Sequence, residues 1–240
     1  MPKEIFHVHT RRCKHAGEEQ DYEYVEKAID LGASRIVFTD HCPFPGNPFR
    51  SRMEIEELPE YILSMKQLKK EYDSKIEVLA GLEVEYFPSF ENYYKELKDS
   101  GEFDLLMMGQ HMFEHEDGTW SFMDEEKSDE YVGLCKAMVE GVRTGLFDVI
   151  AHPDRAFRWN TVWNSDTMRV GRTVISEAIK HGIWLEKNYS SMQQKYQYWE
   201  EFWNKDTRKH QLYGYDAHSV AEMESIWKSR RVKKWEEKKV

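Results

Sequence analysis

No stretch of this sequence approaches the ~18 consecutive apolar residues that a membrane-crossing helix needs, so a bilayer-spanning chain is not expected. Cysteine is scarce, with three residues and no CxxC pair. That count argues against a disulfide scaffold and, with no apolar leader-like run near the start, sets the expectation of a reducing, cytoplasmic setting. Positive charge is in deficit: 34 Lys and Arg face 44 Asp and Glu, for a formal charge of −10. A protein that binds a nucleic-acid backbone needs a basic face, so that class is disfavoured. A small anionic substrate is not, because a local metal cluster outweighs a distant net charge. Gly/Ser linkers and internal repeats are also missing. The expectation is therefore one domain spanning residues 1–240, with a charge-rich tail from about residue 228.

Material for a core is plentiful, with 8 Trp, 13 Tyr and 12 Phe. Short β-branched, apolar runs alternate with longer amphipathic ones. The runs predict strands at Ile5–His9, Arg35–Asp40, Ile76–Glu83, Leu105–Gln110, Asp148–His152, Ile183–Asn188 and Gln211–Tyr215. Between and after them, 3.6-residue periodicity predicts helices at Glu19–Leu31, Leu58–Tyr72, Ser89–Asp99, Asp129–Thr144, Ser165–His181, Met192 to about Asn204, and Val220–Lys228. Seven β-α units in strict alternation predict an α/β fold of parallel strands flanked by helices.

Histidines and acids collect where these strands end. The first strand ends in "HVH" (His7, His9), the second in "TDH" (Asp40, His41) and the third in "GLEVE" (Glu83, Glu85). The fourth ends in "GQH" (His111), the fifth in "AHPD" (His152), the sixth in "LEKN" (Glu186, Asn188) and the seventh in "YDAH" (Asp216, His218). Six of the ten histidines occupy such ends, and His15 follows in the first loop. Parallel barrels build their active sites at that edge. A lone histidine there is ordinarily a hydrogen-bonded structural residue. Seven together would each need a private buried partner, so a metal cluster is the simpler reading. Mixed imidazole and carboxylate donors suit Zn²⁺, Mn²⁺ or Fe²⁺ better than Ca²⁺ or Mg²⁺. His115, His181 and His210 lack this placement and read as surface residues. Cys13 and Cys42 are expected to pack beside the ligands, and the aromatic run Tyr196–Trp203 reads as a helix face covering the barrel.

The stretches "HVHT", "CKHAG", "EYVEKAIDLG", "IVFTDHCPFP", "GLEVEYFP", "HPD" and "DAHS", in this order, resemble the PHP (polymerase and histidinol phosphatase) family, in its stand-alone histidinol-phosphatase branch. The resemblance runs from residue 7 to about 219. It implies a distorted seven-stranded (β/α)7 barrel, similar to a TIM barrel, holding three divalent transition-metal ions (Zn, Mn or Fe). By position it implies His7, His9 and Asp216 as ligands of the first ion, and His111 and His152 of the second. Glu83 would be shared between those two, and His15, His41 and His218 would hold the third. Glu83 and Asp216 are thereby the catalytic carboxylates. The implied activity is hydrolysis of a phosphomonoester, L-histidinol phosphate of histidine biosynthesis. Two ions roughly 3.5–4 Å apart share a hydroxide that attacks phosphorus. Arg155 and Arg158 are candidates for phosphate contacts, and Glu186 and Asn188 for the organic half of the substrate.

Three rival readings remain at this level. One is a PHP phosphoesterase for another small phosphate or a nucleotide. Another is an amidohydrolase, which also starts with HxH but needs a strand-four lysine and an eighth strand. The third is a metal-binding domain without activity, which a missing ligand would favour. The expected partner is a small phosphomonoester, with neither nucleic acid nor membrane, and the sequence leaves the oligomeric state open.

Overall fold

The computed structural model describes residues 3–159, 163–194, 202–203 and 207–229. Seven strands follow in chain order: β1 Glu4–Val8, β2 Arg35–His41, β3 Glu77–Val84, β4 Leu105–Met108, β5 Val149–Ile150, β6 Trp184–Asn188 and β7 Gln211–Gly214. The described helices are α1 Asp21–Asp30, α2 Leu58–Tyr72, α3 Glu91–Asp99, α4 Glu130–Thr144, α5 Ser165–Lys180, α6 Tyr189–Gln194 and α7 Val220–Lys228. The strand order β1 to β7, alternating with helices, is the topology of a distorted (β/α)7 barrel. The described residues group into two compact units: those up to Leu82 with those from Gly214 onward, and Glu83–Tyr213. No described helix is long and apolar enough to cross a membrane.

In the first unit, β1 pairs in parallel with β2 from Glu4↔Arg35 to Phe6↔Val37, then skips to Val8↔Phe38. His7 is the extra residue of this bulge and takes a left-handed backbone, φ 70°. On the other edge of β1, the amides of Tyr215 and Ala217 donate to the carbonyls of Phe6 (2.8 Å) and His7 (3.2 Å), and the His9 amide donates to Ala217 (2.9 Å). A bulge bends a strand and re-aims its side chains. Here it sits where two histidines must point at one place.

In the second unit, β4 pairs in parallel with β5, and β5 with β6. The Gly109 amide donates to the Val84 carbonyl at 3.0 Å. Strand β5 is two residues long, shorter than Asp148–His152, because His152 (φ 29°) leaves the ladder and Pro153, which has no amide to donate, opens a 3-10 turn. Strand β4 likewise stops at Met108, where Gln110 turns the chain. Its side chain accepts from the Tyr86 amide (2.9 Å) and donates to the carbonyls of Tyr86 (3.1 Å) and Met112 (2.5 Å).

Helix ends follow local chemistry. Asn164 caps α5 by accepting from the amides of Asp166 and Thr167, and Gly145 closes α4 in the left-handed region, φ 71°. Helix α6 starts at Tyr189, earlier than the expected Met192, because the Asn188 side chain accepts from the amides of Ser190 (2.9 Å) and Ser191 (3.4 Å). Most of the expected helix to Asn204, most of the aromatic run within it, and the tail from 230 lie outside the described residues.

Candidate metal centre

The first unit brings together six of the expected ligands. The bulge in β1 turns His7 and His9 so that their Nε2 atoms meet at 2.9 Å, and Asp216 Oδ1 lies 3.4 Å from the first and 3.2 Å from the second. Both histidines are fully buried and Asp216 nearly so. The rings of His41 and His218 flank His9 with centroids at 4.6 and 4.3 Å, and His15 lies against both, at 5.4 and 4.7 Å. Ligand nitrogens of His9, His41 and His218 fall within 4.8 Å of one another.

Hydrogen bonds decide which nitrogen each ring presents. His15 Nδ1 sits 2.7 Å from the Cys13 carbonyl and His218 Nδ1 sits 3.0 Å from the Asp216 carbonyl. A carbonyl only accepts, so both rings carry the proton on Nδ1 and present a bare Nε2. His218 Nε2 is buried without a hydrogen-bond partner. Burial, followed by the neighbouring His9, pushes the His218 pKa down to about 4, against the pull of Asp216. Rings fixed through Nδ1 in this way, gathered around His9 and next to Asp216, fit a divalent ion of the zinc, manganese or iron type.

In the second unit, Glu83, next to last in β3, has Oε1 at 2.9 Å from His152 Nε2 and 3.8 Å from His111 Nε2. Glu85 stands on the opposite nitrogen of His111, Oε1 to Nδ1 at 3.0 Å. The pair thus divides: Glu83 faces the Nε2 atoms of both histidines, and Glu85 orients one ring from behind. Burial first, then Arg155, pushes the His152 pKa down to about 4, and the hydrogen bond to Glu83 opposes this. Strained, left-handed backbone recurs at expected ligand positions, at His7, His152 and Asp216 (φ 55°). Such strain of about 1–3 kcal/mol each persists at functional sites.

Gly109 makes room for this arrangement. A Cβ there would lie 2.0 Å from Glu83 Oε1 and 2.5 Å from its Cγ and Cδ. Gly109→Ala is expected to displace Glu83 and weaken Zn²⁺ binding by about 10–100-fold, at an overpacking cost of about 1–3 kcal/mol. Chelator competition checks the first and thermal melting the second. Wild-type affinity would mean that Glu83 does not need this position.

The expected substrate contacts have other engagements. Arg158 donates to Glu130 Oε2 (2.9 Å) and to the His111 carbonyl (3.3 Å), and Arg155 donates to Asn188 Oδ1 (3.0 Å). Glu186, fully buried, accepts from the His152 amide (2.9 Å) and from Asn188 Nδ2 (3.3 Å). This geometry favours Glu186 and Asn188 as supports of the strained His152 and of α6. Cys42 lies against the Pro43 carbonyl (3.2 Å) and Cys13 between His9 and Asp40. Burial pushes the Cys13 thiol up to about 12, which keeps it protonated. His181 is exposed and His115 and His210 are half-buried, His115 paired with Asp124 at 3.0 Å.

Sequence reasoning missed two residues beneath the first cluster, Arg12 and Thr10. Arg12 is 2% exposed, and its five N–H donors go to Asp21, Glu60 and Thr10 at 2.8–3.0 Å. The signal available was a basic residue placed between two expected histidine ligands, but its partners lie up to 48 positions away.

Fold and site together define a β/α-barrel protein with imidazole and carboxylate clusters where its strands end. The PHP domain model matches residues 6–206, and the chain belongs to the PHP domain family. It is 35% identical over 160 residues to a Deinococcus radiodurans protein named "probable histidinol-phosphatase", an alignment covering 62% of this chain and 59% of that one. It is 36% identical over 98 residues to the histidinol-phosphatase of Bacillus subtilis, covering 38% of this chain and 37% of the relative. The aligned stretches thus span less than two thirds of either relative. Among solved structures, the histidinol phosphate phosphatase of Lactococcus lactis, complexed with zinc, L-histidinol and phosphate, shares the fold at a TM-score of 0.73 and 20% identity. That match covers 94% of this chain and 91% of that one.

Proposed function

We propose that this protein is a metal-dependent phosphomonoesterase that hydrolyses L-histidinol phosphate, working as one PHP-type domain over residues 1–240 in the cytoplasm. The observation that carries the reading is that imidazole Nε2 atoms meet a buried carboxylate in each unit, those of His7 and His9 beside Asp216 in the first and those of His111 and His152 beside Glu83 in the second. Family membership over residues 6–206 and the histidinol-phosphatase names of two relatives support the substrate.

In this reading three divalent ions would be held, by His7, His9 and Asp216, by His111 and His152, and by His15, His41 and His218, with Glu83 as a further carboxylate ligand. Bound divalent ions supply Lewis acidity, a water of lowered pKa, and positive charge against the phosphate. The residues of the chain fix the rest. Glu85 holds His111 with Nε2 forward, Asp216 balances positive charge beside His7 and His9, and Glu186 fastens the His152 backbone. Arg155, bonded to Asn188 and with its charge acting on His152, is a candidate to meet a phosphate, and Arg158 is held by Glu130.

The test is phosphate release by the Mn²⁺- or Zn²⁺-loaded protein from histidinol phosphate and a panel of common metabolite phosphates. A clear preference for histidinol phosphate is expected, and a better substrate elsewhere in the panel would replace it. The same assay separates the two roles of Glu186. If it supports His152, Glu186→Ala leaves a buried amide unpaired at about 1–3 kcal/mol and lowers turnover of histidinol phosphate and p-nitrophenyl phosphate alike. A rise in KM confined to histidinol phosphate would return Glu186 to the substrate wall.

A further inference from the structure

We infer that Cys13 and Asp40 fix the tautomer of His9, so that a thiol relays a carboxylate's hold onto a metal-ligating imidazole. The inference rests on the metal-binding part of the proposed function, and not on the identity of the substrate. Asp40, fully buried near the end of β2, receives three donors. The Thr10 amide lies 2.5 Å from Oδ1, the Thr10 hydroxyl 2.5 Å from Oδ2, and Cys13 Sγ 3.1 Å from Oδ1. Thr10 is itself held by Arg12, whose Nη1 is 3.0 Å from the Thr10 oxygen.

Cys13 Sγ donates to Asp40 Oδ1, so the thiol proton points at the carboxylate. That leaves the sulfur as an acceptor. Two N–H groups are within reach of it: the His41 amide at 3.3 Å and His9 Nδ1 at 3.2 Å. An imidazole that donates from Nδ1 keeps its lone pair on Nε2. His9 Nε2 is the atom that lies 2.9 Å from His7 Nε2 and 3.2 Å from Asp216 Oδ1. Histidine ligands usually take this orientation from a carboxylate, a carbonyl or water directly. His15 and His218 use carbonyls, and in His9 a thiol stands between the ring and its carboxylate. His9, Cys13 and Asp40 are also close enough to hold an ion themselves, but Thr10 already occupies both oxygens of Asp40, which favours the hydrogen-bonded arrangement.

Three measurements on the metal-loaded protein test this. In the Zn²⁺ form, nitrogen-15 NMR of the histidine rings should find a His9 Nδ1 proton that exchanges slowly with water. The Co²⁺ form should lack a thiolate-to-metal charge-transfer band. Chelator competition should give Cys13→Ser nearly wild-type Zn²⁺ affinity, since a hydroxyl makes the same bonds, while Cys13→Ala loses about 10–100-fold together with the protected proton. A charge-transfer band would make Cys13 a ligand and overturn the relay, as would wild-type affinity in Cys13→Ala. If Cys13→Ala does not fold, the wild type and Cys13→Ser decide by the proton and the band alone. Failure of the wild type to bind Zn²⁺ would overturn this inference and the proposed function together. Metal binding without phosphate release would overturn the function only.

Discussion

Glu83→Gln is expected to lose activity by on the order of 10³-fold, and Glu85→Gln by roughly 10–100-fold. The two carboxylates are two residues apart at the end of β3 and equally buried, so neither exposure nor spacing separates them. Their partners do. Glu83 Oε1 faces the Nε2 atoms of both His152 and His111, on the side where a bound ion takes its ligands, whereas Glu85 meets the Nδ1 side of His111. A carboxylate shared between ions needs two anionic oxygens, and an amide supplies one neutral oxygen. Removing a group that sustains metal charge at the reacting centre forfeits several kcal/mol, and about 4 kcal/mol is a thousandfold in rate. An orienting partner behind a ligand is worth the smaller factor. Steady-state kinetics with metal analysis checks both, and equal losses in the two variants would contradict the division.

The second large effect is on stability. Arg12→Ala should cost about 3–5 kcal/mol, because it strands the buried carboxylate of Asp21 and removes a donor from Thr10. For a chain of this size that lowers Tm by roughly 6–20 °C. Arg12→Lys should recover little, since an ammonium cannot reproduce a fork that binds Asp21 through two nitrogens at 2.8 Å each. Replacing both partners, Arg12→Met with Asp21→Leu, should restore most of the loss, because no charge is then left buried alone. A single-variant drop below about 3 °C in calorimetry would mean that the pair is solvated in solution.

Much of this was legible in the chain itself. Helices α2 and α7 run Leu58–Tyr72 and Val220–Lys228, as their periodicity predicts, because their apolar faces repeat cleanly and their ends carry polar residues. The strand ends were legible because an imidazole or carboxylate that closes an apolar run is costly to bury and contributes little to packing. Less visible was anything decided by backbone geometry. Alternation places His7 and His9 on one face of a regular strand, yet they meet through a bulge with His7 at φ 70°, which no residue pattern announces. The engagements of Glu186 and Asn188 were also hidden. Their position at the end of β6 suggests an open wall, but the amide of His152, 34 residues earlier, takes the carboxylate of Glu186. The ties from Asp40 to Thr10 and from Arg12 to Glu60 span 30 and 48 residues, and spacing carries no trace of such contacts.

The central claim, that this chain releases phosphate from a monoester by means of metals held at its strand ends, is tested most directly by removing and restoring the metal. Purified protein stripped with a chelator and assayed on histidinol phosphate should release no phosphate above background. Activity should return with added Zn²⁺ or Mn²⁺ in step with the metal found by elemental analysis, levelling at two to three equivalents as the nine expected ligands imply. Phosphate release that survives complete stripping, or one bound equivalent or fewer at full activity, would contradict it.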